Sequence, residues 1–285
     1  MKICLIGNGL TNLVLAKNLV KKKIKVDLFT SPKKGFYSKS RTIAISNQNL
    51  IFLNKIISGI EKISWPINEI KIFNEFNQNQ EIMDFYKSEK NFSIFKAYKL
   101  YNLMKVSLFN ENFFSFKYIN KKSSLLNIVK NNNYDLFINS EKNNEISKKF
   151  FHKKIIKKYN SKAYITIIKH TFCDNMIAKQ IFTDFGPLAF LPISNTETSI
   201  VFSIFKNKVK EKDSNEEIKN LIIKYNKNYN IKSFGKFENF NLTSSLSRKY
   251  FYKNILCFGD NLHRIHPLAG QGFNMTIRDI ETISV

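Results

Sequence analysis

The first twenty residues confine this chain to a small set of folds. Lys2-Ile-Cys-Leu-Ile6 is a short apolar run, Gly7-Asn-Gly9-Leu-Thr-Asn12 follows it, and Leu13, Leu15, Ala16 and Leu19 then recur at helical spacing. An apolar strand that meets a glycine turn and re-emerges as a helix is the first half of a βαβ unit. The expected class is therefore α/β with a parallel sheet. Gly7 is expected to make the tight turn. Gly9 should let the backbone come close to a phosphate held by the free N–H groups of the helix start. The pattern is GxGxxN, because Asn12 stands where a third glycine would allow close helix–strand packing. The next strand, Ile24 to Phe29, should end on an acid that binds a ribose. Thr30 falls there, and Asp27 lies three residues too early to replace it.

A second constraint lies near the C-terminus. Ile255 to Phe258 is an apolar run closed by Gly259-Asp260, and Pro267 stiffens the backbone beyond it. Gly270-Gln271-Gly272 then opens a helical pattern with Phe273, Ile277 and Ile280. Glycines at a loop-to-helix junction admit a ligand closely, and the helix start favours negative charge there. A carboxylate at a strand end can accept hydrogen bonds from hydroxyls. Together these parts suit a large cofactor with a polyol chain and an electron-accepting ring. The segment from Gly259-Asp260 through His266-Pro267 to Gly270-Gln271-Gly272 and Asn274 resembles the GD…HPxxGQGxN motif of flavin-dependent aromatic-ring hydroxylases, and among them the ubiquinone-biosynthesis hydroxylases.

Three other stretches resemble the same family. Ser40-Arg41-Thr-Ile-Ala-Ile-Ser46 matches a segment whose arginine lies close to the flavin. Ala178 to Pro192, with Gln180, Phe182, Gly186-Pro187 and Leu191-Pro192, matches the substrate-sheet segment of the ubiquinone type. Tyr134-Asp-Leu-Phe-Ile138 matches the strand before an Ala-Asp-Gly signature, but here Asn139-Ser-Glu-Lys142 follows and the Asp-Gly pair is absent.

The resemblance implies a Rossmann-like FAD-binding domain interleaved with a mostly β substrate domain. Residues 1–70, 92–150 and 248–285 would form the first, and residues 71–91 and 151–247 the second. The family's C-terminal helical region is expected to be missing. FAD would lie extended, with Gly7, Gly9 and Asn12 at the pyrophosphate and Gly259-Asp260 at the ribitol. Arg41, Pro267, Gly270, Gln271, Gly272 and Asn274 complete the implied cofactor site, and NAD(P)H or another reductant would supply electrons. The implied activity is hydroxylation of an aromatic ring of a polyprenylated phenol or quinone precursor in ubiquinone biosynthesis, through a flavin C4a-hydroperoxide. No protein acid–base pair is assigned: Pro267 would shape the ring-facing wall, and His263 and His266 read as packing. Two competing readings stay open. One is a non-catalytic flavin- or lipid-binding member of a biosynthetic assembly, or a truncated inactive hydroxylase. The other is an oxidoreductase that inserts no oxygen.

Between the motifs, Trp65 to Phe73 alternates as one half-buried strand, and Leu100, Leu103, Met104 and Leu108 mark a helix. Phe113–Ile119, Ser124–Val129 and Tyr134–Ile138 read as short strands, residues 162–205 as β-structure, and Glu216–Tyr229 as an amphipathic helix.

The formal charge of +24 invites a nucleic-acid partner, but only four of the cations are arginines (Arg41, Arg248, Arg264 and Arg278). Nucleic-acid readers lean on arginine for bidentate contacts, and these lysines are scattered in short runs, so no nucleic acid is expected. A peripheral contact with an anionic membrane suits the charge better, as do other ubiquinone-biosynthesis proteins as partners. Cys4, Cys173 and Cys257 show no metal or disulfide spacing. No apolar run approaches a membrane span. The expected place is the cytoplasm, at the inner face of the membrane.

Overall fold

The computed structural model describes residues 1–30, 37–75, 81–86, 92–119, 124–131, 133–208, 215–265 and 271–283. Strand β1 (Lys2–Ile6), helix α1 (Leu10–Lys21) and strand β2 (Lys25–Thr30) form the opening unit, with β1 and β2 parallel and Ile3 opposite Val26. Strand β3 (Thr42–Ser46), helix α2 (Asn47–Ile56), β4 (Ser64–Ile67), β5 (Glu69–Asn74) and β6 (Met83–Tyr86) follow. Next come β7 (Phe92–Lys96), α3 (Ala97–Phe109), β8 (Phe114–Tyr118), α4 (Leu125–Lys130), β9 (Leu136–Asn139) and α5 (Glu145–Phe150). The central part holds the long β10 (Lys154–His170), β11 (Ile177–Thr183), β12 (Gly186–Pro192), β13 (Glu197–Phe205) and α6 (Asn215–Tyr225). The chain closes with β14 (Ile231–Phe234), β15 (Glu238–Ser247), β16 (Phe251–Tyr252), β17 (Ile255–Cys257), β18 (His263–Arg264) and α7 (Gln271–Ile283).

These strands make three sheets. The first runs β16-β17-β9-β1-β2-β8, parallel except for the β16–β17 hairpin. Both of its faces are covered, which explains why β1 is apolar from Ile3 to Ile6. Ile3 and Leu5 point into a core shared with α1, α2, α3 and α7, while Cys4 and Ile6 point into a second core with Phe137, Ile146, Phe151 and Cys257. The second sheet runs β18-β15-β10-β13-β12-β11-β5-β6 with β14 beside β10, and is antiparallel except where β11 lies parallel to β5. Its core buries Leu188, Phe190, Ile200 and Phe202 with Ile218, Ile222 and Tyr225 of α6. A small sheet, β3-β7-β4, bridges the two, bonded to the large one by Thr42 Oγ1–Ser199 Oγ at 2.8 Å and Lys96 Nζ–Glu197 Oε2 at 2.6 Å. The α/β class with a mixed parallel and β-rich organisation is the one expected.

Two local expectations are corrected. The stretch from Trp65 to Phe73 is two strands, broken at Asn68, whose N–H donates to Met176 O. Before the break the chain pairs with β7, and after it with β11. Alternation alone could not reveal that one apolar run serves two sheets. Ser124–Val129 is a helix rather than a strand. Ser124 Oγ accepts the Leu126 N–H at 3.1 Å, an N-cap that outweighs the strand preference of Ile128 and Val129. Cys4 and Cys257 are buried as small hydrophobes, and burial pushes the Cys257 thiol up to about 11. Among the described residues no helix is long and apolar enough to cross a membrane, and no group of side chains could hold a metal.

Candidate cofactor site

The carboxyl ends of β1, β9 and β17 converge on the start of α1. Gly7 turns there with φ +109°, and its N–H donates to Phe29 O at 2.9 Å. A Cβ on Gly7 would stand 2.6 Å from Glu141 Cγ, so the turn and the loop after β9 fit together only around a glycine. Gly259, φ +57°, leans on α1 in the same way: its Cβ would lie 2.8 Å from Thr11 Cγ2. These two glycines are demanded by the protein itself.

Gly9 is different. Its φ is −80°, open to any residue, and a Cβ there would meet no atom within 4 Å. Nothing among the described residues requires a glycine at that point, whereas a phosphate lying on the backbone would. Helix α1 has no acid in its first turn and no side-chain cap from Gly9. Its first N–H, on Leu10, reaches the Tyr37 hydroxyl at 3.2 Å, and the Asn8 Oδ1 in the turn is buried without a partner. The bare backbone at Gly9 and a first turn without acids fit an extended dinucleotide whose diphosphate rests on the helix start, while the Asn8 Oδ1, an acceptor, suits a hydroxyl rather than a phosphate oxygen.

Asn12 has a clear place in the turn. It is fully buried and spends both N–H bonds on the carbonyls of Ile6 (2.9 Å) and Gly7 (2.7 Å). It staples the turn from behind. Asn274 is likewise occupied: its Oδ1 accepts from Ser46 N (2.9 Å) and Asn49 Nδ2 (2.7 Å), and its Nδ2 donates to Ala44 O (2.8 Å). It fastens α7 to the strand that follows Arg41. In the fold its place is a positioning one.

Arg41 is exposed at the foot of β3, its guanidinium 5.1 Å from the Tyr37 ring. Tyr37 also touches the α1 start, so Arg41 is brought to the same region. No motif marks Tyr37 in the sequence. Asp260 is largely exposed at the end of β17, with Lys142 Nζ 3.7 Å from its Oδ2. Gln271 and Gly272 open α7, and a Cβ on Gly272 would make only an ordinary 3.8 Å contact with Ile265. His266, Pro267 and Gly270 lie outside the described residues. His263 Nε2 pairs with Asp279 Oδ2 at 2.7 Å, which ties the loop after β17 to α7 and agrees with a structural reading.

Asp27 faces away from this site. Val26 and Leu28 enter the core beneath α1, so Asp27 lies on the opposite side of the sheet with Tyr134. Thr30 is buried at the strand end, and no acid occupies the ribose position.

Residues 129–284 match the sequence family described as FAD binding domain. The mitochondrial ubiquinone biosynthesis monooxygenase COQ6 of Xenopus tropicalis is 29% identical over 164 residues, covering 44% of this chain and 35% of that protein. The matched stretch thus spans about a third of the length of that curated relative. Among solved structures, the probable FAD-dependent monooxygenase PqsL of Pseudomonas aeruginosa superposes with a TM-score of 0.76 at 12% identity, covering all of this chain and 85% of that one. The p-nitrophenol 4-monooxygenase PnpA of Pseudomonas putida superposes with a TM-score of 0.74 at 10% identity, covering 99% and 78%. At these identities the likeness is one of fold.

Proposed function

The chain belongs to the FAD-binding-domain family of aromatic-hydroxylase-like proteins, and we propose that it is an FAD-dependent monooxygenase acting on a polyprenylated aromatic ring in ubiquinone synthesis. The observation that carries the reading is the family match, which runs through both the β-rich sheet and the Gly259-Asp260 loop. The similarity to COQ6 and the substrate-sheet pattern of Ala178 to Pro192 support the ubiquinone branch. Bound FAD would supply the oxygen-activating chemistry, with NAD(P)H as the proposed reductant. The protein's part is to bind, orient and keep dry. The first amides of α1 and the bare backbone at Gly9 hold the diphosphate, and the Asp260 carboxylate accepts hydrogen bonds from the ribitol hydroxyls. The amides of Gln271 and Gly272, at the positive end of α7, stabilise negative charge on the ring edge they face. His263 is held by Asp279 as a bracket between the loop after β17 and α7.

The test is direct. The purified protein should be yellow and release FAD on denaturation, and with NAD(P)H, O2 and a prenylated phenol it should yield a ring-hydroxylated product. Full FAD occupancy with no oxygenated product would overturn the catalytic reading in favour of a flavin-binding assembly member.

A membrane-borne substrate also requires a docking face, and one corner of the large sheet supports a peripheral contact with an anionic bilayer. Residues 146–160 and 239–259 contain no acid, and they lie together because β10 pairs with β15, Ile155 opposite Leu246. On that face Ile155 (54% exposed) and Leu246 (41%) stand among Lys153, Lys157 and Arg248, with Tyr250 and Phe251 exposed nearby. Bare aliphatics framed by lysine suit lipid headgroups and acyl boundary better than a nucleic-acid backbone. Co-sedimentation with phosphatidylglycerol vesicles should be strong at low salt. The Lys153→Glu, Lys157→Glu double variant should bind roughly tenfold or more weakly, at about 1 kcal/mol per basic residue. Equal binding to neutral vesicles, or binding that the charge reversals leave unchanged, rules this face out.

A further inference from the structure

The lost Asp-Gly signature leaves Lys142 at the lip of the cofactor site, and that residue has a job the fold alone does not explain. Gly259 packs on Thr11 in the first turn of α1, Asp260 follows it, and Lys142 Nζ lies 3.7 Å from Asp260 Oδ2. Two more cations share the spot. Lys154 donates to Asn261 O (3.0 Å) and Oδ1 (2.7 Å), and Arg264 sits on the adjoining β18. Burial, and then the nearby Arg264 and Lys154 charges, push the Lys142 ammonium below its usual pKa, while Asp260 acts in the other direction. The Lys142 side chain is only 29% exposed, whereas Asp260 is 62% exposed. A long ion pair with a carboxylate mostly in water contributes little. It does not account for a half-buried lysine held beside two like charges. The neighbouring Glu141 turns instead against Gly7. The result is a surplus of positive charge beside the first turn of α1, which carries no acid, and that surplus calls for an anion.

We propose that Lys142 is a diphosphate-binding residue: as the dinucleotide enters, its ammonium leaves Asp260 for the pyrophosphate, which frees the Asp260 carboxylate for the ribitol hydroxyls. The inference rests on the FAD reading above. It also gives the departure at positions 141–142 a function, since a lysine supplies charge at a place where the resembling family has glycine.

The test compares FAD, ADP and riboflavin binding to the full chain by flavin fluorescence and calorimetry across a salt series. Lys142→Gln should weaken FAD and ADP about tenfold, the equivalent of one charge-assisted hydrogen bond. It should also flatten the salt dependence and leave riboflavin, which has no phosphate, unchanged. Lys142→Arg should keep most of the affinity. Wild-type FAD affinity and salt slope in Lys142→Gln would overturn the role of Lys142 while leaving the FAD reading intact. Loss of riboflavin as large as the loss of FAD would do the same, placing the effect on Asp260 or on the fold. A wild-type chain that takes up no FAD ends both proposals.

Discussion

A Gly9→Ala chain folds as well as the wild type and loses most of its FAD. The backbone at Gly9 is in a region open to alanine, and the added methyl meets nothing within 4 Å. Because alanine restricts the unfolded chain, apoprotein stability should be unchanged or higher by about 0.4–1 kcal/mol. The same methyl would stand where a phosphate must rest on the backbone. Pushing the diphosphate off the helix start by a carbon's width forfeits hydrogen bonds and close charge contact together. About 3 kcal/mol of lost binding corresponds to a Kd raised roughly 100-fold. Thermal melts of the apoprotein and a flavin titration read the two effects separately. Gly7→Ala is the contrasting case, since it combines φ +109° with a collision against Glu141 Cγ. It should cost about 1–3 kcal/mol of stability before any cofactor is added. If Gly9→Ala binds FAD like the wild type, the open space there is not a cofactor cradle.

The contrast between the two glycines shows what the sequence could and could not disclose. That both belong to a turn between β1 and α1 was legible, because a strand-glycine-helix order has few other solutions. Which of the two the fold itself requires was not, since that depends on Glu141, distant in sequence and brought over Gly7 by β9. The protein contacts of Asn12 and Asn274 are hidden for a related reason. A motif position names a neighbourhood, while the direction of a side chain is set by packing. Both amides donate to backbone carbonyls, Gly7 O and Ala44 O, that no local pattern points to. The capped helix α4 was readable in principle from Ser124 before Leu125, Leu126, Ile128 and Val129. β-branched composition suggested a strand, and the cap decided otherwise. Tyr37 was beyond reach, for an isolated tyrosine near a loop carries no pattern until its hydroxyl is found on the Leu10 N–H.

Asp27, set aside as a ribose ligand, has a large role of its own, and its removal should give the largest stability loss of any single polar substitution proposed here. The residue is 2% exposed in the middle of β2. Lys117 Nζ lies 2.7 Å and Lys2 Nζ 3.3 Å from its Oδ2, and Tyr134 and Ser115 both donate hydroxyl bonds to it. Burial alone would raise its pKa; the bonds from Lys117, Ser115 and Tyr134 outweigh burial and hold it well below the carboxylate range. Asp27→Ala strands the Tyr134 hydroxyl in the core and leaves two lysines without their anion. Both lysines are partly exposed and can turn to water, which holds the cost to about 2–3 kcal/mol rather than the full penalty of a broken buried pair. For a domain of this size that lowers Tm by roughly 5–10 °C. The sign of the pH dependence follows from the depressed pKa. The stabilisation is present above the unfolded value near about 4 and is lost as pH falls through the lower folded value. Urea melts of the wild type should therefore hold steady from pH 7 to about 4 on this account and weaken below it. Asp27→Asn should start lower and lose that acid dependence. Equal acid limbs in wild type and Asp27→Asn would show that this carboxylate does not hold β2 against its neighbours β1 and β8. The strand ends that carry the cofactor turn would then owe their positions to the apolar packing of Cys4, Ile6 and Phe137 alone.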